Sequence, residues 1–365
     1  MSVELINSDE DFSKLETRWS EIGKAGGIRT PFQSFAWIDQ WLRHRGKDVE
    51  PFILFIDDSI IAPFGLSRVA GFRIIRLLGT PDSDYPGPVT HLLPGAAWDI
   101  VMRELAKLRD YWDLLHLHSV QDREAVISAI DRHIKASFLE RLYEVCPLIK
   151  TDRSWDLLLG ERKNIRNNIK RWTRRLAGLG TIRVEVVKPP VTDGLLSEIV
   201  ELERASWKWD TGNATFKPGS RCDFIQGILK DPRMQFELWL LRLSDKLVGL
   251  EFILIAENRW YGYMAISRKD CPNAGAYLLA QVVETACSSG CDSVDLMRGG
   301  EEYKRAWTDL EGLVYEIVVP GNLRGRLAAM PYYARWSAAK SSLLHRLRNQ
   351  ITGKGDRRSL LALKK

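Results

Sequence analysis

Charged and aromatic side chains crowd into one short stretch between Asp295 and Trp307. The stretch reads Asp-Leu-Met-Arg-Gly-Gly-Glu-Glu-Tyr-Lys-Arg-Ala-Trp and contains Arg298, Glu301, Glu302, Tyr303 and Lys304. The residues before it have strand character, so these groups follow the carboxyl end of a strand. Carboxylates can accept protons, a tyrosine hydroxyl can donate one, and Lys or Arg can hold an anion. The stretch is therefore well placed for acid–base chemistry.

A second candidate site is the loop Pro272-Asn-Ala-Gly-Ala276, which opens a predicted helix. A helix N-terminus presents free N–H groups and the positive end of the helix dipole, which favour an anion. Gly275 permits close backbone approach. The pattern predicts a pyrophosphate site, whose members are Arg268, Asn273, Ala274, Gly275, Ala276 and Tyr277.

The elements that must position these groups alternate between strand and helix. In the second half, the predicted strands are 236–243, 247–256, 260–266 and 291–296, with a helix at 277–286. The first half repeats this order at lower fidelity: strands at 51–56, 60–66, 72–78 and 111–118, and helices at 98–108 and 122–133. The repeat indicates a duplicated α/β unit of about 150 residues. We predict an α/β fold with a mixed sheet, in domains 1–150 and 151–320 and a basic helical tail at 321–365.

A basic helix is predicted between the halves. Its apolar positions Ile165, Ile169, Trp172 and Leu176 share one helical face, and the other faces are rich in Lys and Arg, including Arg166 and Arg171. Two interpretations are open: a solvated basic face, or a wall of positive charge toward an anionic substrate or cofactor phosphates.

The segment 205–222 combines turn formers with aromatic residues. A long loop inside a compact domain is often a binding loop. Trp207 and Trp209 would then line an apolar or sugar-binding wall, and core packing is the alternative.

Composition is that of a soluble globular protein, with 45% hydrophobic and 27% charged residues. Of the net charge of +6, the tail at 321–365 supplies eleven Lys/Arg against one acid, so the remainder is slightly acidic and a nucleic-acid-binding body is not implied. The start lacks a signal-peptide pattern, which predicts a cytoplasmic protein. The basic tail suits peripheral contact with an anionic membrane surface, and a docked helix with a frayed end is the alternative. His116 and His118 have no assignable acidic third ligand, so we predict no metal site.

The segment Phe236–Val319 resembles the GNAT acyltransferase fold. The 295–307 block resembles the signature of the CelD/BioF2-like acetyltransferase family, Asp-Phe-x-x-Gly-x-x-x-Tyr-Lys-x-x-Trp, as do Pro31–Trp37, Ser83-Asp-Tyr85 and the basic helix. The resemblance covers about residues 1–320 and extends to the FemAB aminoacyltransferases. The loop Asn273-Ala-Gly-Ala-Tyr277 departs from the usual GNAT phosphate loop, Arg/Gln-x-x-Gly-x-Gly/Ala, and the first half has no such loop.

The resemblance implies an N-acyltransferase that takes acetyl-CoA or another acyl-CoA and modifies an amine of an amino sugar or an envelope or exopolysaccharide precursor, free or lipid-linked. Direct attack needs a base and an acid. Glu302, Glu251 and Asp295 are the candidate bases, with Asp295 the most structural of the three, and Tyr303 is the candidate acid. The resemblance also makes Lys304 a candidate catalytic residue. The implied substrate contacts are Arg166, Arg171, Trp207, Trp209, Arg298 and Trp307. For each residue a structural hydrogen bond or ion pair is the alternative.

Two other functions stay open from the sequence. One is a FemAB-type aminoacyltransferase with an aminoacyl-tRNA donor, although the helical arm found in some of those proteins has no counterpart here. The other is a non-catalytic binding protein of the polysaccharide machinery, tethered by its basic tail.

Overall fold

One mixed sheet of twelve strands runs through residues 2–351, which are the residues that the computed structural model describes. The strands are β1 (Val3–Ile6), β2 (Glu50–Ile56), β3 (Ile60–Val69), β4 (Phe72–Leu77), β5 (Leu114–Val120), β6 (Leu139–Lys150), β7 (Ile182–Val187), β8 (Phe236–Leu243), β9 (Lys246–Ala256), β10 (Arg259–Ser267), β11 (Ser293–Asp295) and β12 (Glu311–Pro320). Their order across the sheet is β1-β2-β3-β4-β5-β12-β6-β11-β10-β9-β8-β7. The predicted α/β class with a mixed sheet is confirmed.

Thirteen α-helices accompany the sheet in the same residues. They are α1 (Asp9–Lys14), α2 (Glu16–Ile22), α3 (Phe35–Arg45), α4 (Pro94–Lys107), α5 (Arg123–Ala129), α6 (Trp155–Glu161), α7 (Lys163–Ala177), α8 (Asp193–Arg204), α9 (Trp207–Asp210), α10 (Ser220–Lys230), α11 (Ala274–Ser288), α12 (Glu302–Arg305) and α13 (Leu323–Ile351). In α4, for example, the buried residues Trp98, Val101, Met102 and Leu105 recur at the spacing of one helical face.

The strand order repeats between the halves. Strands β2, β3 and β4 are antiparallel, and after α4 the chain returns as β5, parallel to β4. Strands β8, β9 and β10 are likewise antiparallel, and after α11 the chain returns as β11, parallel to β10. The duplication predicted from the sequence is therefore confirmed.

The two halves share their central strands. Strand β6, from the first half, lies between β11 and β12, and β12, from the second half, lies between β5 and β6. The sheet thus continues across residue 150, where β6 ends. The division into units at 150 and 320 stays a prediction.

The start of the predicted tail docks on the first half. Ala328, Ala329 and Trp336 of α13 pack against Ile74 of β4 and Val318 of β12. No helix among residues 2–351 is long and apolar enough to cross a membrane. The tail from residue 352 onward lies outside the described residues.

Some element bounds differ from the sequence prediction for local reasons. Arg109–Tyr111 forms a 3-10 turn, so the strand predicted from Tyr111 starts at Leu114. The helix predicted over 122–133 ends at Ala129, because Ile130–Ile134 winds as a π-helical turn. Neither change alters the order of elements.

An aromatic cluster joins the halves. Trp37 of α3 is fully buried, and its ring lies 5.1 Å from that of Phe224 and 5.3 Å from that of Tyr263, both in the second half. Its indole N–H donates to the Ser83 hydroxyl at 2.9 Å. Since one ring packs against both halves, they are expected to unfold together.

We expect Trp37→Ala to lower the free energy of unfolding by about 3–5 kcal/mol, because it leaves a large cavity between the halves. Denaturant unfolding followed by circular dichroism measures this. The half-exposed Trp207→Ala is the matched control, expected to stay within ~0.5 kcal/mol of the parent. A small loss at Trp37, or two separate transitions, would contradict a shared core.

Candidate active site

A cavity of about 860 Å³ opens where two parallel strands separate. Strands β10 and β11 pair only from Arg259↔Ser293 to Tyr261↔Asp295. Beyond that point β10 continues with a β-bulge at Tyr263, while the chain after β11 stays hydrogen-bonded to β6. A bulge bends its strand and redirects side chains. The gap therefore follows from the register of the sheet.

Both halves line this cavity. Arg45 of α3 and the loop residues Pro81, Asp82 and Asp84 come from the first half. The second half contributes β9, β10, the start of α11, the turn at 296–304 and the segment 206–221. The predicted binding loop at 205–222 does reach the cavity.

Glu251 of β9 is the most unusual group in the cavity. Its side chain is 94% buried, at 6% exposure, and no hydrogen bond or ion pair joins its carboxylate to a described residue. Burial raises the pKa of Glu251 to about 8, although Lys208 and Lys304 oppose the shift. A buried carboxylate without a partner costs free energy. Such a group at a cavity wall is suited to take a proton from a ligand.

Tyr303 and Lys304 also line the cavity, but they differ in whether the side chain is already bonded to other residues. Tyr303 is 53% exposed, and partial burial together with the Glu251 and Glu301 carboxylates raises its pKa above the ordinary value. The Lys304 ammonium is bound in place: it donates to the Arg298 carbonyl at 2.7 Å and pairs with Glu301 at 3.0 Å. Tyr303 is thus available to a ligand, whereas Lys304 holds the turn at 297–301.

Glu302, the other predicted base, is exposed in the first turn of α12 and does not line the cavity. Its neighbour Glu301 lines it instead. Spacing along the chain could not distinguish the two, because the turn before α12 decides which carboxylate faces inward.

The predicted cofactor loop is the first turn of α11, which begins at Ala274 rather than at Tyr277. Gly275 and Ala276 line the cavity, whereas Ala274 and Tyr277 are buried in the core. Asn273 precedes the helix with a left-handed φ of 72°, and its buried Nδ2 has no hydrogen-bond partner among the described residues. Free amides at a helix start and an unsatisfied amide donor both fit an anionic group.

Arg268 does not reach this site. Its guanidinium binds both carboxylate oxygens of Asp270, at 2.9 and 2.8 Å, and it does not line the cavity. The sequence prediction did not consider Asp270, and the ion pair with Asp270 accounts for the position of Arg268.

Only some of the predicted substrate contacts lie at the cavity. Trp207 and Arg298 line the cavity. Trp209 lies outside it, with Arg204 and Lys217 over its ring at 5.5 and 5.2 Å. Trp307 is buried and stacks on Trp155 at 6.2 Å.

Arg166 and Arg171 lie on the exposed side of α7, outside the cavity lining. Ile165, Trp172 and Leu176 form the buried side, as the periodicity predicted. The basic face of α7 is thus solvated, although its charge remains open to a large anionic partner.

Asp295 fastens the site to the first half. Its carboxylate accepts hydrogen bonds from the Tyr85 hydroxyl at 2.8 and 2.9 Å and from the Met297 amide at 2.7 Å. Burial raises the pKa of Asp295 to about 7, against the effect of these bonds. Asp295 is therefore engaged with its own chain, in keeping with the structural role expected for it.

Sequence reasoning missed several cavity residues. Lys208 lies between Trp207 and Trp209 in the sequence, and Arg221 lies at the start of α10; both line the cavity. Asp84 belongs to the segment Ser83-Asp-Tyr85, whose resemblance to the family was the one sequence signal for a role in the site. Asp84 forms an ion pair with Arg298 of the second half. No group of three or more His, Cys, Asp or Glu side chains within residues 2–351 is placed to hold a metal ion.

The family comparison matches this part of the chain. Residues 163–305 match the model of the acetyltransferase (GNAT) domain. The protein is an acyltransferase with a GNAT domain. The matched segment contains β10, β11, α11 and Glu251, so the cavity lies within or against it. The narrower resemblance to the CelD/BioF2-like family stays a prediction.

Solved structures with the same fold extend over both halves of the acyltransferase. The C-terminal domain (DUF2156) of a candidate lysylphosphatidylglycerol synthetase from Agrobacterium fabrum is 14% identical, with TM-score 0.59 over 87% of this chain and 95% of that one. L-PGS from Bacillus licheniformis is 12% identical, with TM-score 0.58 over 87% and 95%. FemX is 11% identical, with TM-score 0.58 over 88% and 97%. No curated protein sequence matches the chain. At these identities the likeness concerns the fold.

The raised pKa of Glu251 predicts a pH-dependent stability. The folded protein holds this proton up to about pH 8, whereas the unfolded chain releases it near the ordinary value of 4.5, so stability falls as pH rises between these values. Glu251→Gln cannot ionise. Its unfolding free energy relative to the parent should therefore rise from pH 5 to pH 8, by on the order of a few kcal/mol.

Urea unfolding at a series of pH values measures this difference. The exposed Glu302→Gln is the matched control, and its stability curve should run parallel to that of the parent. A constant offset for Glu251→Gln across the range would show that its carboxyl group ionises normally.

Proposed function

We propose that this acyltransferase moves an acyl group, acetyl in the simplest case, from acyl-CoA to an amine of an amino sugar or a related envelope or exopolysaccharide precursor. The observation that carries the proposal is Glu251, a buried carboxylate without a partner in the gap beside β10. The GNAT domain supplies the reaction class. The resemblance of the sequence to the CelD/BioF2-like family supplies the acceptor class.

The donor would lie along the gap. Its phosphates suit the free amides of Gly275 and Ala276, and the Cβ-free backbone of Gly275 leaves this surface clear. The thioester would lie beside the edge of β10, where β11 no longer pairs and backbone N–H groups can stabilise a carbonyl oxygen that gains negative charge.

Proton transfer has two candidate groups in the cavity. Glu251 takes the proton that the acceptor amine loses as its nitrogen bonds to the thioester carbon; a base with pKa about 8 is near the working pH. The carbon–sulfur bond breaks, and Tyr303, which its raised pKa keeps protonated, gives its proton to the leaving sulfur. Glu302 lies outside the cavity and has no part in this scheme.

An aminoacyl-tRNA donor is a second candidate, favoured by the face of α7. Six exposed cations on this helix have no carboxylate within ion-pair distance among the described residues: Lys163, Arg166, Lys170, Arg171, Arg174 and Arg175. Such a face suits the phosphates of a nucleic acid. An acyl-CoA donor needs nothing outside the cavity.

Donor binding can be tested at α11. We expect the parent protein to bind acetyl-CoA in calorimetric titration and Gly275→Asp to weaken binding at least roughly tenfold, because a carboxylate would repel the phosphates. An acid in the first turn does not destabilise a helix. Gly194→Asp, in the first turn of α8 with open space around it, is the matched control. No acetyl-CoA binding by the parent, or equal binding by Gly275→Asp, would overturn the assignment of the donor.

Base catalysis can be tested by thiol release in the presence of amino-sugar acceptors. Glu251→Gln should lower kcat by roughly 10²–10⁴-fold. In the parent, the rate should rise with pH up to about 8 and then level off, because the base must be ionised. Glu302→Gln should retain activity. Loss of activity in Glu302→Gln with an active Glu251→Gln would assign the base to α12 instead.

A further inference from the structure

The cavity contains five cationic side chains, and they divide into two groups. Arg45 pairs with Asp82 at 3.0 Å, Arg298 pairs with Asp84, and Lys304 pairs with Glu301 at 3.0 Å. The remaining two, Lys208 and Arg221, have no hydrogen bond or ion pair to any residue that the structure describes.

Burial makes the unpaired ammonium of Lys208 costly. It is partly withdrawn from solvent, and burial lowers the pKa of Lys208 despite the carboxylates of Glu203 and Glu251 at longer range. Arg221, which lines the same cavity and is itself exposed, lowers the pKa of Lys208 further by repulsion. A bound anion would relieve both costs.

The scaffold around these cations is fixed. Glu203 is fully buried, and its two carboxylate oxygens accept the amides of Thr215 and Phe216 at 2.9 and 2.7 Å. The Lys208 carbonyl accepts the Asn213 amide at 3.0 Å. The segment between α9 and α10 is therefore held by hydrogen bonds, and the two cations are presented from a defined backbone.

Arg221 lies on the side of the cavity that the first half forms. Its neighbour Ser220 accepts a hydrogen bond from Arg45 of α3 at 2.8 Å. Its charge also acts on Tyr263, at the bulge of β10. The start of α11 lies instead against Ser267, at the far end of β10, roughly 13 Å along the strand from Tyr263. Arg221 thus stands apart from the phosphate site proposed for the donor, and the charge of Lys208 acts on Glu251 of β9.

We propose that Lys208 and Arg221 form an anion subsite for a phosphate group of the acceptor, while Glu251 faces its amine. This inference rests on the proposed function, and it narrows the acceptor to a phosphorylated amino sugar. Two cations in the lining of one cavity match the double negative charge of a phosphate monoester, and Arg adds two parallel N–H donors. Glu251, Lys208 and Arg221 then each gain a partner from a single ligand.

The test is calorimetric titration of the full chain with glucosamine, glucosamine 6-phosphate, glucosamine 1-phosphate and acetyl-CoA. At least one of the two phosphates should bind roughly tenfold or more tightly than glucosamine. Preference for the 6-phosphate would indicate a free sugar phosphate, and preference for the 1-phosphate a carrier-linked sugar; either supports the subsite.

Variants separate the acceptor from the donor. Lys208→Gln and Arg221→Gln should each weaken binding of the preferred sugar phosphate roughly tenfold or more and leave binding of glucosamine and acetyl-CoA unchanged. Lys208→Arg should retain most of the affinity. Lys230→Gln, at the other end of α10, is the matched control because Lys230 pairs with Asp193 away from the cavity. Thermal melting confirms that each variant is folded.

Three results would overturn the inference. Equal binding of glucosamine and both phosphates, or no binding of either phosphate, would remove the subsite. Loss of acetyl-CoA affinity in Lys208→Gln or Arg221→Gln would assign the cations to the donor. Absence of acetyl-CoA binding by the parent protein would overturn the proposed donor alone, because the comparison among the sugars does not depend on it.

Discussion

The site depends on where β11 stops pairing with β10. Asp295, the last residue of β11, accepts hydrogen bonds from Tyr85 and from the Met297 amide, and Met297 has a left-handed φ of 62°. After this point the chain no longer pairs with β10 but stays bonded to β6, through the Leu296 and Gly299 amides. Strand β10 is left with an open edge, and the cavity forms there. The gap would close if the two strands continued side by side, so a buried carboxylate more than 200 residues from its tyrosine partner positions the active site.

The charged side chains of the cavity divide into those that are paired within the protein and those that are left for a ligand. Three ion pairs fix the walls: Arg45–Asp82 joins α3 to the loop after β4, Arg298–Asp84 joins the two halves, and Lys304–Glu301 lies within one turn. The buried Glu251 and the half-buried Lys208 are left without such partners, as is the exposed Arg221. Because an uncompensated buried charge is expensive, groups of this kind are found where a ligand completes the set. The same reasoning assigns Lys304 to the scaffold, although its neighbours in sequence suggested a catalytic role.

Because the halves exchange central strands, residues of the first half can line a cavity that opens in the second half. Strands β6 and β12 each lie among strands of the opposite half, and the aromatic core around Trp37 continues across the junction. The equivalent helix of the first half, α4, also carries a glycine in its first turn, Gly95, and the loop after β4 supplies Asp82 and Asp84 to the cavity. The first half therefore forms one wall of the cavity.

The sequence by itself determined many of the elements and their duplication, because apolar periodicity and turn residues act over a few neighbouring positions, but it placed the start of α11 three residues late. It also pointed to the 298–304 turn and to Glu251 as one of three candidate bases. Only the tertiary structure placed Glu251 in the cavity wall and Glu302 outside it, and paired Arg268 with Asp270. It also buried Trp307 and brought Lys208, Arg221 and Asp84 to one cavity. Strand β6 was not foreseen, since its partners β11 and β12 follow about 150 residues later. Burial and charge pairing depend on such distant contacts, and these set the pKa of Glu251 and the freedom of each cation.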